Sequence, residues 1–470
     1  MKYVDVILPL PLEGLFTYSV PPHLQQKVQC GVRVQVPLGK TKTYTAVVAY
    51  VHDDDGEPPI ARAAGASGKP VAIKDIVAVL VVLDSQLRLW QWIADYYMSP
   101  IGDVMKAALP PGMKSEDGYR PKTESCVVLA EAYRNTRSIE QIQVVLKASK
   151  KQRELFVTYL QLSGMLDEIG KNTLVPREIT REELMNESHC SATVMRSLLG
   201  HPFMMTYERE VGRLADGGDP HPERIKALSE EQSDAYNKLL LQMMRKRVTL
   251  LHGVTSSGKT EVYIHLIQKT IDEGRQVLYL VPEIALTIQM MERLQRVFGR
   301  RLGIYHSKYS DEQRVELWQK QLSSHPYDVI LGARSACLLP FQDLGLVIVD
   351  EEHESSFKQQ DPAPRYHART VAVMMGASHS RGRLEGVILL GTATPCAETY
   401  HNALTGKYGY VRMDKRYQGI ELPEIQVVDV KDLQRRKMMN GPFSPQLLAA
   451  MREALDGGEQ VILFQNRRGF

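Results

Sequence analysis

The sequence predicts a multidomain α/β chain: a small N-terminal β domain, a winged helix, a parallel α/β lobe behind a glycine-rich loop, and the start of a second such lobe. Three observations carry this reading. Short β-branched runs separated by Pro/Gly turns fill the first part of the chain, residues 181–210 read as helix, turn, helix and strand, and beyond residue 222 continuous apolar runs alternate with helical patterns.

The β runs are YVDVILPL, VRVQVPLG, YTAVVAYV and IVAVLVV, interrupted by the acidic and small-residue stretch 53–70, which reads as a solvated loop. Leu83, Leu87, Trp90, Ala94 and Tyr97 then recur at spacings of four and three, the stripe of an amphipathic helix that stops near Pro100. These segments make a first domain over 1–105. Helical patterns resume at Ser138, and a winged helix is expected over 115–214, with Arg196 on the solvent face of its second helix; DNA contact and a spacer role both remain open for it. ADGGDPHP, residues 215–222, marks the next boundary. VTLLHG, QVLYLVPE, YDVILGA, LGLVIVDEE and GVILLGTATP are too continuously apolar for a half-exposed sheet, so they predict parallel strands covered on both faces, over 223–424. A second set begins at Ile425, with a helix around QLLAAMREALDGG and a strand over QVILF.

Composition narrows the function classes. The chain has 470 residues, 43% of them hydrophobic, and a formal charge of +3, so any polyanion-binding surface must be local. No segment is apolar enough to span a membrane and no start resembles a signal peptide, so a cytoplasmic protein without membrane partners is expected. The five cysteines are widely spaced with no CxxC pair, so no zinc ligands are expected in this chain.

The chemistry is concentrated in the third segment. Residues 253–260, GVTSSGKT, fit GxxxxGK[ST] between an apolar strand and a helix. Gly253, Val254, Thr255, Ser256, Ser257 and Gly258 would lend backbone N–H groups to phosphate oxygens, Lys259 a point charge to the β and γ phosphates, and Thr260 a hydroxyl to Mg2+. About ninety residues later LGLVIVDEEH presents Asp350 for the metal and Glu351 to orient the attacking water. The expected cofactors are therefore ATP and Mg2+.

GVTSSGKT, DEEH and GTATP together resemble motifs I, II and III of superfamily 2 helicases, which implies a RecA-like lobe. By that resemblance Thr392, Thr394 and His353 couple nucleotide state to DNA grip. VPEIALT places Thr287, and GARSA places Arg334, at strand-binding positions; Gln232 of LSEEQ occupies the place of an adenine reader. The loop SSFKQQDPAPRYHARTVAV carries Phe357, Lys358, Arg365, Tyr366 and Arg369, a mixture of rings and cations suited to single-stranded DNA.

GVTSSGKTEVY, DEEHESSFKQQDPAPRYHARTVAV and NRRGF together resemble the PriA family of primosomal replication-restart helicases. The resemblance implies a 3′-to-5′ ATP-dependent DNA helicase acting on branched and single-stranded DNA at forks, with single-stranded DNA-binding protein and primosome proteins as partners. It also implies an N-terminal domain that captures a DNA 3′ end, Phe16 stacking on the terminal base and Lys40 holding a phosphate. Thr17 stands where many relatives carry Asp, which leaves 3′-hydroxyl recognition open. Family members continue past NRRGF into paired zinc sites and the rest of lobe 2, so zinc and brisk hydrolysis are expected only with that continuation. A fork-binding scaffold that uses little ATP, and another superfamily 2 translocase such as a RecG-like motor, are the alternatives.

Overall fold

The computed structural model describes residues 2–39, 41–52, 62–63, 70–78, 81–114, 122–166, 176–214, 217–285, 287–306, 308–378, 386–416 and 424–464. Lys40 and the NRRGF segment lie outside them. Two units are separated at Lys415/Arg416, and each is described by itself.

The first unit opens with a sheet of β1 (Lys2–Ile7), β2 (Phe16–Val20), β3 (Arg33–Leu38), β4 (Lys42–His52), β5 (Arg62–Ala63), β6 (Val71–Ala72) and β7 (Asp75–Ala78). Its order is β5-β2-β1-β4-β3-β7, with β6 paired to β2. β2 went unread as a strand because its residues were read as a ligand motif. α1 (Asp84–Tyr96) and α2 (Ile101–Ala108) follow, separated at Pro100, which supplies no amide hydrogen to continue a helix. The core packs side chains at 0% exposure such as Trp90 and Ile93 of α1 together with Trp318 and Phe341 from far along the chain. Two hydrogen bonds cross the same junction: Gln86 Nε2 donates to the Leu338 carbonyl at 3.0 Å and Trp318 Nε1 to the Val81 carbonyl at 2.8 Å. The β domain and the α/β lobe thus share one apolar interior.

The winged helix is β8 (Lys122–Leu129), α3 (Thr136–Val145), α4 (Lys150–Leu162), β9 (Ile179–Thr180), α5 (Arg181–Ser188), α6 (Ala192–Leu199) and β10 (Met204–Val211), with strand order β10-β8-β9. Asn135, Thr180 and Ser191 cap α3, α5 and α6, each accepting a backbone N–H three residues on.

The large lobe contains α7 (Glu230–Met243), β11 (Val248–Gly253), α8 (Lys259–Asp272), β12 (Gln276–Leu280), α9 (Ile288–Phe298), β13 (Leu302–Tyr305), α10 (Asp311–Leu322), β14 (Val329–Gly332), β15 (Leu344–Asp350), α11 (Ala368–Ser378), β16 (Val387–Thr392), α12 (Ala397–Leu404) and β17 (Gly409–Met413). The sheet runs β13-β14-β12-β15-β16-β11-β17 and every pairing in it is parallel. Because β16 lies between β15 and β11, the motif segments at the ends of these three strands emerge side by side.

In the second unit α13 (Val430–Arg435) and α14 (Pro445–Asp456) form, the latter capped by Ser444. The strand expected over QVILF is absent from its described residues. Ile462 is 94% exposed and Phe464 89%: a strand apolar on both faces needs neighbouring strands, and no described segment of this unit supplies one.

Candidate nucleotide and DNA site

The glycine-rich loop leaves β11 and enters α8 through Gly258 at φ +81°, a left-handed conformation that costs glycine little. A Cβ there would lie 2.2 Å from Gln232 Nε2, and one on Gly253 would lie 2.8 Å from Ser257 Oγ. The loop closes too tightly for side chains at either position. Ser256 takes φ +62° without being glycine, strain tolerated at the tip of the cradle. Lys259 Nζ donates to the Gly253 carbonyl at 3.0 Å, folding its ammonium across the loop mouth. The Ser257 hydroxyl is buried and has no partner among the described residues.

Gln232 sits behind this loop. Its Oε1 accepts from the Ser229 backbone N–H at 2.9 Å in a capping box, and its Nε2 donates to the Gly258 carbonyl at 3.4 Å. Only 3% of the residue is exposed. In this arrangement it braces the loop, and its amide is not displayed to a base.

Asp350 ends β15 half-buried, its carboxylate turned toward two tyrosines of α8 and β12. Oδ1 accepts from the Tyr263 hydroxyl at 3.1 Å and from the Glu351 backbone N–H at 3.1 Å; Oδ2 accepts from the Tyr279 hydroxyl at 3.2 Å. Burial, and then the neighbouring Glu351 charge, push the Asp350 carboxyl up to about 6, while the Lys259 ammonium and the hydrogen bonds pull it down. Lys259 and Asp350 therefore feel each other's charge across one site. Both tyrosine hydroxyls are held well above the ordinary phenol value, chiefly by burial, and so stay protonated as donors. Neither tyrosine was read as functional in the sequence, where EVYIH and VLYLV give only the periodicity of core.

Glu351 turns through φ +48°, which carries the chain out of the strand into the DEEH loop. His353 Nδ1 stands 2.8 Å from Thr392 Oγ1, and Thr394 Oγ1 stands 3.4 Å from His353 Nε2. The next acid in DEEH, Glu352, was also unread, yet it is fully buried. Its carboxylate accepts from Arg369 Nη1 at 2.7 Å, from the Cys396 backbone N–H at 2.8 Å and from the Thr399 hydroxyl at 3.0 Å, tying the DEEH loop to the start of α12. His252 adds a further link, with Nε2 3.2 Å from the Ala393 carbonyl and Nδ1 3.0 Å from the Tyr410 hydroxyl.

The expected DNA residues divide sharply. Phe357 and Tyr366 are each 1% exposed, packed in the core, so the stacking role read for them is not met: neither ring face is open to a base. Arg369 is likewise corrected, since its guanidinium is spent on buried Glu352. Arg334 Nη1 donates to the Ser356 and Lys358 carbonyls, pinning the loop from beneath. Thr287 caps α9, accepting from the Met290 N–H at 3.3 Å, and stays exposed. Lys358 lies over the Tyr97 ring, and Arg365 is solvent-exposed beside Asp361. In the N-terminal domain Phe16 is 8% exposed within the sheet core, so the terminal-base stacking read for it is unmet here as well. Thr17 donates to Asp5 Oδ1 at 2.7 Å, while Asp5 Oδ2 meets His52 Nε2 at 2.7 Å. The Thr17 hydroxyl is thereby consumed inside the domain.

Comparison with known proteins follows the same divisions. Residues 5–110 match the 3′DNA-binding domain (3′BD) family of PriA, residues 124–211 the winged helix domain of PriA helicase, and residues 229–403 the DEAD/DEAH box helicase family. The replication restart protein PriA of Chlamydia trachomatis is 32% identical over 488 residues, covering 100% of this chain and 59% of that relative. The chain is similar to PriA over its whole length. The PriA of Haemophilus influenzae is 32% identical over 483 residues, with 100% and 59% covered, and that of Bacillus subtilis 29% identical over 527 residues, with 100% and 63% covered. The chain thus spans about three fifths of the length of these PriA proteins.

Two outcomes follow from this geometry. The folded-state carboxyl of Asp350 sits above its ordinary value of 3.8, at about 6, so the folded protein holds a proton that the unfolded chain releases in that interval. Stability in metal-free buffer should therefore fall as pH rises from about 4 to 6, and Asp350→Asn should remove that component in melting curves recorded across the interval. Arg369→Ala leaves Glu352 charged and unpaired in the interior; equilibrium denaturation should show a loss of roughly 3 to 5 kcal/mol, whereas a surface cation would cost under about 1.

Proposed function

We propose that this chain is the ATP-binding and DNA-recognising portion of a 3′-to-5′ DNA helicase that acts at replication forks in replication restart. The observation that carries the reading is the Tyr263–Asp350 hydrogen bond, which ties α8, the helix that Lys259 opens, to the end of β15 beside the Thr392 network.

The residues present fit a magnesium nucleotide. Two glycines permit the close approach of backbone to phosphate, Lys259 is poised at the mouth, and Ser257 offers a buried hydroxyl with no partner among the described residues. Lys259 would leave the Gly253 carbonyl for the phosphates, Thr260 and Asp350 would hold Mg2+, and Glu351 would orient water. Bound ATP supplies the phosphoryl group whose transfer drives movement. The Asp350 proton must leave before the carboxylate can take a metal. His353, Thr392 and Thr394, within hydrogen-bond reach of one another, would pass the state of that site to the DNA-facing loops.

DNA partners follow from the PriA-type domains: a branched duplex and its single strands, with single-stranded DNA-binding protein and primosome proteins as further proposed partners. Among the described residues no helix is long and apolar enough to cross a membrane; action in the cytoplasm at nucleoid forks is part of the proposal.

The test separates nucleotide from DNA. Lys259→Ala should weaken ATP·Mg2+ binding, measured by calorimetry, on the order of a hundredfold, an effect in the range of a buried charged contact. Fork binding, measured by anisotropy, should stay at the wild-type level. Undiminished nucleotide affinity in the variant would remove the proposed site.

A further inference from the structure

The loop after DEEH buries its own aromatics, but a group of rings that reaches the surface stands beside it, carried by the end of α1. Trp92 and Tyr96 are four residues apart on one helix face and stack with centroids 4.8 Å apart and planes inclined by 22°. Tyr97 meets both edge-on, at 6.2 and 4.9 Å. Tyr96 is 59% exposed and Met98, in a left-handed turn just beyond, 92% exposed, whereas Trp92 is half-buried with its inner side against the core. One edge of the aromatic group is thus anchored and the other left in water.

The loop contributes the positive charge. Lys358 Nζ lies 5.3 Å from the centre of the Tyr97 ring and donates to the Arg365 carbonyl, and the His367 backbone N–H donates to the Tyr97 hydroxyl at 3.1 Å. Arg365, next in this framework, is largely exposed and engaged by exposed Asp361. On the helix side Asp95 is the neighbouring acid, and it accepts from Gln91 at 2.8 Å. Gln359 holds the loop in shape, donating at 2.9 Å to the carbonyls of both Pro362 and Pro364. Rings from one segment and cations from another are therefore fixed on adjoining surface before any ligand arrives.

We propose that Trp92, Tyr96 and Tyr97 of α1, with Lys358, form a binding platform for the unpaired bases of a DNA single strand. An exposed ring offers a face to any base, and a cation within a few ångströms of the ring group suits the phosphate that joins one base to the next. Duplex DNA keeps its base faces stacked inside, so the platform selects single strands. An apolar protein partner would gain from Tyr96 and Met98 but would have to accommodate the charges of Lys358 and Arg365 at the same edge. The proposal rests on the DNA-binding reading above and adds to it a location that neither the helicase motifs nor the loop aromatics supply.

Binding of a short oligodeoxythymidylate to the full chain, followed by anisotropy and by tryptophan fluorescence, tests it. Tyr96→Ala should weaken binding on the order of tenfold, the usual cost of losing one stacked base, and Tyr96→Phe, which keeps the ring, should restore it. Trp90 and Trp318 are at 0% exposure, so quenching by the oligonucleotide reports on Trp92 and should vanish in Trp92→Phe. Melting curves matching wild type would show that Tyr96→Ala is folded. Unchanged affinity in Tyr96→Ala without quenching in wild type would overturn the platform and leave the rings as a protein-docking surface. An equal loss on blunt duplex would overturn its single-strand character. Failure of the wild-type chain to bind any DNA would sink the platform and the DNA reading together.

Discussion

A carboxylate largely withdrawn from water needs hydrogen bonds or a counter-charge, and the arrangement around half-buried Asp350 meets that need. The Tyr263 hydroxyl comes from the helix that follows the glycine-rich loop, the Tyr279 hydroxyl from the neighbouring strand β12, and the third donor is the backbone of Glu351. Each of these contacts fixes one segment of the proposed nucleotide site relative to another. The sheet order makes it possible, because β12, β15, β16 and β11 are successive neighbours whose ends open on one edge. The same constraint explains why Gly391 must be glycine: a Cβ there would lie 1.8 Å from the Tyr263 hydroxyl.

Beneath that layer a second buried acid performs a mechanical task. Glu352 binds Arg369 from α11 and the first turn of α12, so the DEEH loop, the helix after the exposed loop and the segment following GTATP are tied together. The tyrosine-braced acid faces the proposed nucleotide site, and the arginine-paired acid faces the scaffold. Adjacent carboxylates thus acquire separate roles from their surroundings alone.

Much of this was legible in the residues. Continuous apolar runs identified β11, β12, β14, β15 and β16, because a strand covered on both faces has no polar side to show. GVTSSGKT and DEEH pointed to the proposed site because phosphate and metal chemistry admit few substitutes. β13 and β17 were too short or too mixed to stand out, and the strand read over QVILF needed partners that local pattern does not reveal. Ring exposure was the largest misreading. Phe357 and Tyr366 looked like stacking residues by composition, but a Pro-rich loop braced by Arg334 and Gln359 turns them inward. Trp92 and Tyr96 fall outside the Leu83–Tyr97 stripe and belong to no motif. Which rings face water depends on the docking of α1 against a lobe more than two hundred residues away, as the Gln86–Leu338 hydrogen bond shows, and no local periodicity encodes that contact.

The central claim is that the glycine-rich loop and the tyrosine-braced acid form one nucleotide site. A crystal structure with a non-hydrolysable ATP analogue and Mn2+, the metal located by its anomalous scattering, tests it most directly. The account predicts the metal between Thr260 Oγ1 and the Asp350 carboxylate, with Lys259 Nζ moved from the Gly253 carbonyl onto the phosphates. A nucleotide bound elsewhere, or a metal that Asp350 does not touch, would contradict it.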